Sequence, residues 1–368
     1  MGNPELDRLV KQINKDWKVE EGQRPIAMKG SELPPITYIP TSSPALSYLL
    51  GGGWPRGQLL ELFGREGAGK TSLAIMFLRD CMRWEKVVQK KPRVVGLIDI
   101  EHRFNPSWAE TLGFTMDEDF LLIQPSDAEE ATDIMVRMIK SNLFAALVFD
   151  SIGAALPSYQ KEEFRDKATR QGGNAAIMSR CVNTVSPIAN RYNVTILFLN
   201  QLRADMDGYN RPMTPGGHAV KHAMSLRLYL RPGTEKFYDK ITDGVEASTQ
   251  VGFPVVFKTV KNSFGVPLRQ QWSNFYFQPS SFLDHVGFDE QEDLQRLGIL
   301  TGVIEQNGSW YSWGDVKAQG RDAFFEKLAE VGKADQIRQE IESSLGHLQV
   351  LDLQVPETEG PDIDDAGV

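Results

Sequence analysis

The 368-residue sequence contains two cysteines, Cys81 and Cys181, and no C-x-x-C pair. Neither a disulfide framework nor a zinc ribbon is on offer, and a reducing cytoplasm is the simplest expected setting. No apolar run approaches the roughly 20 residues of a membrane span. The opening stretch "MGNPELDRLVKQINKDW" carries charges throughout, unlike a secretory signal. Internal repeats are missing too. So is an excess of positive charge: the net charge is −9, which over the whole chain argues against a phosphate-rich partner. Its distribution weakens that objection, because residues 350–368 hold Asp352, Glu357, Glu359, Asp362, Asp364 and Asp365 with no Lys or Arg. Such a tail is either a disordered solubilising end or a competitor that occupies basic surface until nucleic acid displaces it.

What is present is alternation. Leu6, Leu9, Val10, Ile13 and Trp17 recur on one face of an amphipathic helix. The stretch from Lys18 to Pro44, with Pro25, Pro34, Pro35 and Pro40, reads as a linker. The helix can fold back on its own core or dock on a neighbouring subunit. From Gly57 onward, apolar runs near 59–63, 94–99, 121–124, 145–150 and 195–201 alternate with helical patterns near 70–84, 106–112, 127–141 and 174–192. This is the pattern of a largely parallel sheet covered by helices on both faces. Runs at 226–230, 255–260 and 274–277 are expected to extend it as antiparallel strands. Beyond about residue 285 the pattern becomes helical, with one hairpin candidate at 310–313.

The most specific motif is "GREGAGKTS", residues 64–72, which fits G-x-x-x-x-G-K-[ST]. Gly64, Gly67 and Gly69 permit torsions and close approach that a Cβ would block. The N–H groups of Arg65, Glu66, Ala68 and their neighbours can then turn onto phosphate oxygens. Lys70 reaches the β and γ phosphates, the Thr71 hydroxyl can ligate Mg²⁺, and Ser72 continues into the helix. The motif lies between an apolar strand and an amphipathic helix, the order that puts a helix N-terminus under the phosphates. No N-K-x-D follows it, so guanine reading is not expected. Other strand ends supply complementary groups. "AALVFDS" ends in Asp150, suited to hold Mg²⁺ through water; Glu101 lies two residues after Asp99, just past a strand, where it can deprotonate an attacking water. "TILFLNQ" ends in Gln201, a neutral side chain able to feel a γ-phosphate.

At these residues the chain resembles the RecA family of DNA strand-exchange recombinases, from about Ile39 to Ala329 and more weakly through the N-terminal helix. The blocks "GGGWPRGQLLELFGREGAGKTSL", "LIDIEHRFNPSWAETLG", "LVFDSIGAALP", "LFLNQLR", "TPGGHAVKHAMSLRLYL", "TVKNSFGVPLRQ" and "GSWYSWGDVKAQGRDAFFEKL" occur in that family's order. The resemblance implies an α/β fold, a RecA-like P-loop ATPase core with a mainly parallel sheet flanked by helices. It also implies an N-terminal polymerisation helix and a small C-terminal α/β module. The expected organisation is 1–35 for subunit docking, 36–284 for the core, 285–347 for the module and 348–368 for the acidic tail.

The implied activity is ATP-dependent, Mg²⁺-assisted pairing and exchange of single-stranded DNA with a homologous duplex, by a helical homo-oligomeric filament that hydrolyses ATP when DNA is bound. Glu101 becomes the catalytic carboxylate, Asp150 the magnesium-side aspartate, and Gln201 the sensor coupling the γ-phosphate to the DNA-binding loop after it. Trp108 takes the place of an adenine-stacking tyrosine, Asn105 that of an adenine-contacting aspartate, and Lys261 reaches toward a neighbour's ATP. Two loops, about 157–173 and 202–217, are implied to meet DNA. Lys161, Arg165, Lys167, Arg170, Arg203 and Arg211 suit phosphates, Tyr209 and Met213 suit bases, and Gly172, Gly216 and Gly217 belong to the same contact surface. On the residues alone, Glu162, Glu163, Asp166, Asp205 and Asp207 also allow a pair of solvated surface loops. Departures are specific: Ala176 and Asn183 stand where the family has arginines, with Arg180 nearby as a substitute. His222 replaces an interface phenylalanine, and Ser263 the second lysine of a Lys-x-Lys pair. "KNSFG" also resembles a motif of RadA branch-migration proteins, so a ring motor is one alternative, and a nucleotide-dependent assembly protein without DNA chemistry is another.

Overall fold

The computed structural model describes residues 3–20, 22–157, 173–202, 213–240, 248–345 and 356–357. Helix α1 (Pro4–Asp16) starts on Asn3, whose side chain accepts from the Glu5 and Leu6 N–H groups. After it come β1 (Tyr38–Ile39), α2 (Pro44–Leu50), β2 (Trp54–Pro55), β3 (Leu59–Gly64), α3 (Lys70–Val88), β4 (Val94–Asp99), α4 (Pro106–Thr111), β5 (Phe120–Ile123), α5 (Ala128–Lys140), β6 (Phe144–Asp150), α6 (Gly173–Tyr192), β7 (Thr195–Gln201), α7 (Gly217–Ala223) and β8 (Leu226–Pro232). Strands β9 (Phe237–Lys240), β10 (Ser248–Asn262), β11 (Gln270–Tyr276) and β12 (Gly287–Phe288) lead to α8 (Glu290–Thr301), β13 (Glu305–Asn307), β14 (Trp310–Trp313), β15 (Val316–Gln319), α9 (Arg321–Glu330) and α10 (Ala334–Leu345).

The main sheet has the order β12-β11-β10-β8-β3-β7-β6-β4-β5, with β9 beside β10. Strands β8, β3, β7, β6, β4 and β5 are parallel, so the expected α/β architecture is observed. Because successive residues of a strand face opposite ways, each buried strand feeds two cores. Leu97, Val148 and Leu199 pack with α3, whereas Ile98, Phe149 and Phe198 pack with α5 and α6. One expectation fails. Leu226–Pro232 is parallel to β3, not antiparallel, because α7 carries the chain back across the sheet before β8 begins. The antiparallel part starts only at β10.

The proline-containing stretch is also less of a linker than its composition suggests. Ile39 and Ser43 are fully buried, and α2 follows directly. Residues 305–319 form a three-stranded antiparallel sheet, with 310–313 as its central strand. It shares a core of Tyr311, Phe324, Leu328 and Ile337 with α8, α9 and α10.

Asp293 at the start of α8 fastens this C-terminal part to the main sheet. Its Oδ2 accepts from Ser43 Oγ (2.6 Å), Ala45 N (3.2 Å) and Ser273 Oγ (2.9 Å), and its Oδ1 from Arg296 (2.9 Å). The Arg296 guanidinium in turn lies 3.8 Å from the centre of the Trp272 ring. Burial pushes the Asp293 carboxyl up to about 6 despite Arg296 and its three donors. Asp293→Ala strands those donors in a dry site and is expected to cost about 3–5 kcal/mol, read by thermal or denaturant unfolding. Because the folded pKa lies above the unfolded value, the residue's contribution is greatest below about pH 4 and declines as pH rises through 6. Asp293→Asn should flatten that part of the stability profile, which melting curves from pH 4 to 8 would show.

Candidate nucleotide site

Strand β3 ends at Gly64, where a Cβ would lie 2.5 Å from Leu230 O; only glycine fits between β7 and β8. Gly67 and Gly69 have φ of 75° and 86°, the left-handed region that glycine enters freely. Gly69 caps α3, whose first residue is Lys70. The unpaired N–H groups of that helix start are therefore available to an anion. Lys70 Nζ donates to Gly64 O (3.1 Å) and Arg65 O (2.7 Å). Burial lowers its pKa, opposed by the charges of Asp150, Glu101 and Glu66. Arg65, Glu66 and Thr71 are exposed, Ala68 is buried, and Ser72 is half-buried.

The carboxylates come from β4 and β6, which pair Asp99 with Asp150. Burial, then the negative charges of Glu101 and Asp99, push Asp150 up to about 7, against Lys70 and Arg103. Glu101 Oε1 accepts from Ser151 Oγ at 2.5 Å, and Oε2 pairs with the exposed Arg103 at 3.2 Å. Asp99, not anticipated from the sequence as part of the site, accepts from Phe104 N (3.0 Å) and Gln124 Nε2 (3.1 Å) through Oδ2. Its buried Oδ1 has no hydrogen-bond partner among the described residues. Three acids thus crowd one strand edge facing Lys70, an arrangement that favours a cation. Among the described residues no group of three His, Cys, Asp or Glu side chains is arranged to hold a metal by itself. Thr71 and Asp150 fit Mg²⁺ only with phosphate oxygens and water as its other ligands.

Beside the loop lies a cavity of about 160 Å³ lined by Gly67, Ser72, Trp108, Leu230, Phe253 and Phe277, among others. Trp108 Nε1 donates to Ser72 Oγ (3.0 Å), which fixes the indole plane next to the phosphate loop. Asn105 caps α4, its Oδ1 accepting from Trp108 N at 3.1 Å, so one lone pair of that oxygen is already used. Phe253 comes from the antiparallel strand β10, and Phe277 follows the end of β11. The sequence showed them as apolar positions, but only the fold brings them beside the phosphate loop.

Gln201 ends β7 opposite Gly64. Lys261 is not brought to this cleft within one chain: it pairs with Arg227, level with Glu61, and its Nζ donates to Lys221 O and His222 O at the end of α7. Of the expected DNA contacts, Arg180 is exposed on α6 and Met213 is 51 % exposed. Gly216 and Gly217 stand at the start of α7. Lys161, Arg165, Lys167, Arg170, Gly172, Arg203, Tyr209 and Arg211 lie outside the described residues.

Residues 5–279 match the family model described as RecA N-terminal domain. The chain is similar to Protein RecA of Thermus thermophilus, 33% identical over 332 residues that cover 88% of this chain and 89% of that protein. It is 31% identical over 364 residues to Protein RecA of a Nitratiruptor species, covering 96% of each. A mitochondrial DNA repair protein recA homolog of Dictyostelium discoideum is 31% identical over 325 residues, 86% of this chain and 65% of that protein. With a strand, phosphate loop and carboxylate edge of this form, and similarity over nearly its whole length, the chain belongs to the RecA family.

Proposed function

We propose that this RecA-family recombinase and DNA-dependent ATPase hydrolyses ATP at the sheet edge formed by Gly64, Asp99, Asp150 and Gln201. The observation that carries the reading is the half-buried Lys70 at the loop, its lost hydration partly offset by the charges of Asp150 and Glu101. The N–H groups of residues 65–72 bind the phosphates, and Lys70 moves from Gly64 O and Arg65 O onto the β and γ oxygens. Glu101, oriented by Ser151, takes a proton from water as its oxygen attacks the γ-phosphorus. The bond to the β–γ bridging oxygen breaks, and its electron pair leaves with ADP. Mg²⁺, held by Thr71 and Asp150, would neutralise phosphate charge. Trp108 and the Phe253–Phe277 pocket receive the base, Asn105 contacts its edge, and Gln201 registers the γ-phosphate.

For assembly, two apolar surfaces on one chain carry the reading. No residue of α1 is buried, and Leu6, Leu9 and Trp17 are 43 %, 55 % and 67 % exposed. At the sheet edge, β5 exposes Leu121 and Leu122. Different patches that pair head to tail give an open helical filament, and in such a filament Lys261 would reach a neighbour's nucleotide. Single-stranded DNA would lie along Arg180, Met213, Gly216, Gly217 and the cationic residues of 157–173 and 202–217, a homologous duplex would pair with it there, and the setting is the cytoplasm. No helix among the described residues is long and apolar enough to cross a membrane. The four-part organisation 1–35, 36–284, 285–347 and 348–368 is proposed on the same footing.

Lys70→Ala is expected to abolish ATP hydrolysis. Glu101→Gln should lower kcat by about 100-fold or more while ATP binding persists and the protein stays on DNA; hydrolysis by Glu101→Gln at the parent rate would remove Glu101 from its role. Removing residues 1–20 should turn long assemblies into monomers or short oligomers without unfolding the sheet, tested by analytical ultracentrifugation beside circular dichroism.

Removing residues 350–368 should tighten duplex binding at low salt, with the difference fading near 0.15 M, where screening confines exposed charges to about 8 Å. Titration onto fluorescent duplex across a salt series reads it. Glu357 O accepts from Thr234 N (2.8 Å), just past the end of β8.

A further inference from the structure

Along the later turns of α3, away from the phosphate loop, lies a larger cavity of about 600 Å³, bounded also by the residues after α4 and by β12. Volumes of this order suit small organic ligands. Met76, Trp84, Leu112 and Phe288 give it apolar walls, and Val87 and Val88, which also line it, are 85 % and 53 % exposed. Among the described residues, only Phe288 borders both this cavity and the one beside the phosphate loop. The Trp84 ring is held by the Arg56 guanidinium, 4.4 Å from its centre, so this wall is fixed in advance of any ligand.

Two arginines enter the same space. Arg79 and Arg83 are four residues apart on α3 and so share one face, where like charges repel. Both reach Gly113: a Cβ placed there would lie 3.6 Å from Arg79 Nη1 and 3.7 Å from Arg83 Nη2. Arg79 is largely spent within the protein. Its Nη1 donates to Leu112 O (2.5 Å), and its Nη2 donates to Ser42 Oγ and Asp80 Oδ1. Its buried Nε has no hydrogen-bond partner among the described residues. Asp80 is spent as well, accepting from Ser42 N (2.9 Å) and Ser42 Oγ (2.5 Å). The other charged lining residues have partners of their own, Glu290 in Arg338 and His285 in Asp284. Arg83 is exposed and forms no ion pair among the described residues. The cavity therefore holds one positive charge that nothing offsets.

We propose that this cavity is a second small-molecule site, one that takes an organic monocarboxylate with an aromatic or branched aliphatic body. The carboxylate sits on the Arg83 guanidinium with Arg79 beside it, and the body lies against Met76, Trp84 and Leu112. A guanidinium offers a carboxylate two parallel N–H groups, and an anion between Arg79 and Arg83 removes their mutual repulsion. The single unspent charge selects a monoanion: a polyphosphate brings more negative charge than Arg83 offsets and meets Asp80 and Glu290 as well. Helix α3 begins at the phosphate loop and α4 carries Trp108, so the occupant touches an extension of both nucleotide-side helices without entering that site. The proposal does not depend on the hydrolysis roles assigned above.

Indole-3-acetate serves as the probe and the neutral indole-3-acetamide as its control, each titrated onto the full chain by calorimetry with and without saturating Mg²⁺–ADP. The acetate is expected to bind with a Kd of about 1 mM or tighter, to bind about tenfold better than the acetamide, and to keep its affinity when ADP is present. Arg83→Gln should weaken the acetate about tenfold and leave the acetamide within about twofold. Val87→Glu, which sets a negative charge beside the cavity, should also weaken the acetate more than the acetamide. Both substituted side chains are exposed, so parent-like melting temperatures are expected to accompany these losses. Absence of saturable binding by the parent overturns the proposal, as does equal affinity for the two probes. Parent-like binding of the acetate by Arg83→Gln removes the site from this cavity, and complete displacement of the acetate by ADP assigns it to the phosphate-loop cavity instead.

Discussion

Parallel strands all end at the same edge of their sheet, and that constraint governs this protein. Residues 64, 99, 150 and 201 come from four separate segments, yet the pairing of β3 with β7, of β7 with β6 and of β6 with β4 brings their ends together. The helix after β3 then presents its free N–H groups at the same edge. Neither the phosphate loop nor the acids would make a site without this alignment, since Lys70 and Asp150 are 80 residues apart in the chain.

Burial sets the character of the charged groups. At the cleft, burial disfavours the charge of Lys70 and Asp150 is crowded by other acids, a state suited to receiving phosphate and a cation together. Glu61–Arg227 and Asp293–Arg296 are buried ion pairs of another kind, in which both oxygens of each carboxylate are met within the protein. Such pairs add little net stability over an apolar core but are costly to break. They hold one arrangement, Glu61 that of β3 with β7 and β8, and Asp293 that of α8 with α2 and β11.

The apolar surfaces left exposed have the opposite meaning. Among the described residues, helix α1 is anchored through its polar side and the chain after it, with Asn14 bonded to Ile26 and Ala27, and Arg191 to Gln23 and Trp17 O. Its leucines and Trp17 stay exposed among the described residues. A face held in place but not covered suits contact with another copy.

By itself the sequence determined the phosphate loop, the run of alternating strands and helices, and the acids at strand ends, because these follow from local spacing: glycines at fixed offsets, apolar runs, and one polar residue where a strand stops. It also showed the N-terminal stripe. The tertiary structure alone decided that β8 runs parallel to β3, that residues 38–50 join the core through Ile39 and α2, that Asp99 stands beside Asp150, and that Phe253 and Phe277 line the cavity beside the phosphate loop. It alone assembled Glu61 with Asn200, Arg227 and Thr214, and Ser43 with Asp293, pairs separated by up to 250 residues. A buried polar residue in an apolar run carries no mark of its partner, because the partner is chosen by strand order and register, which depend on the crossover helices and not on the run itself.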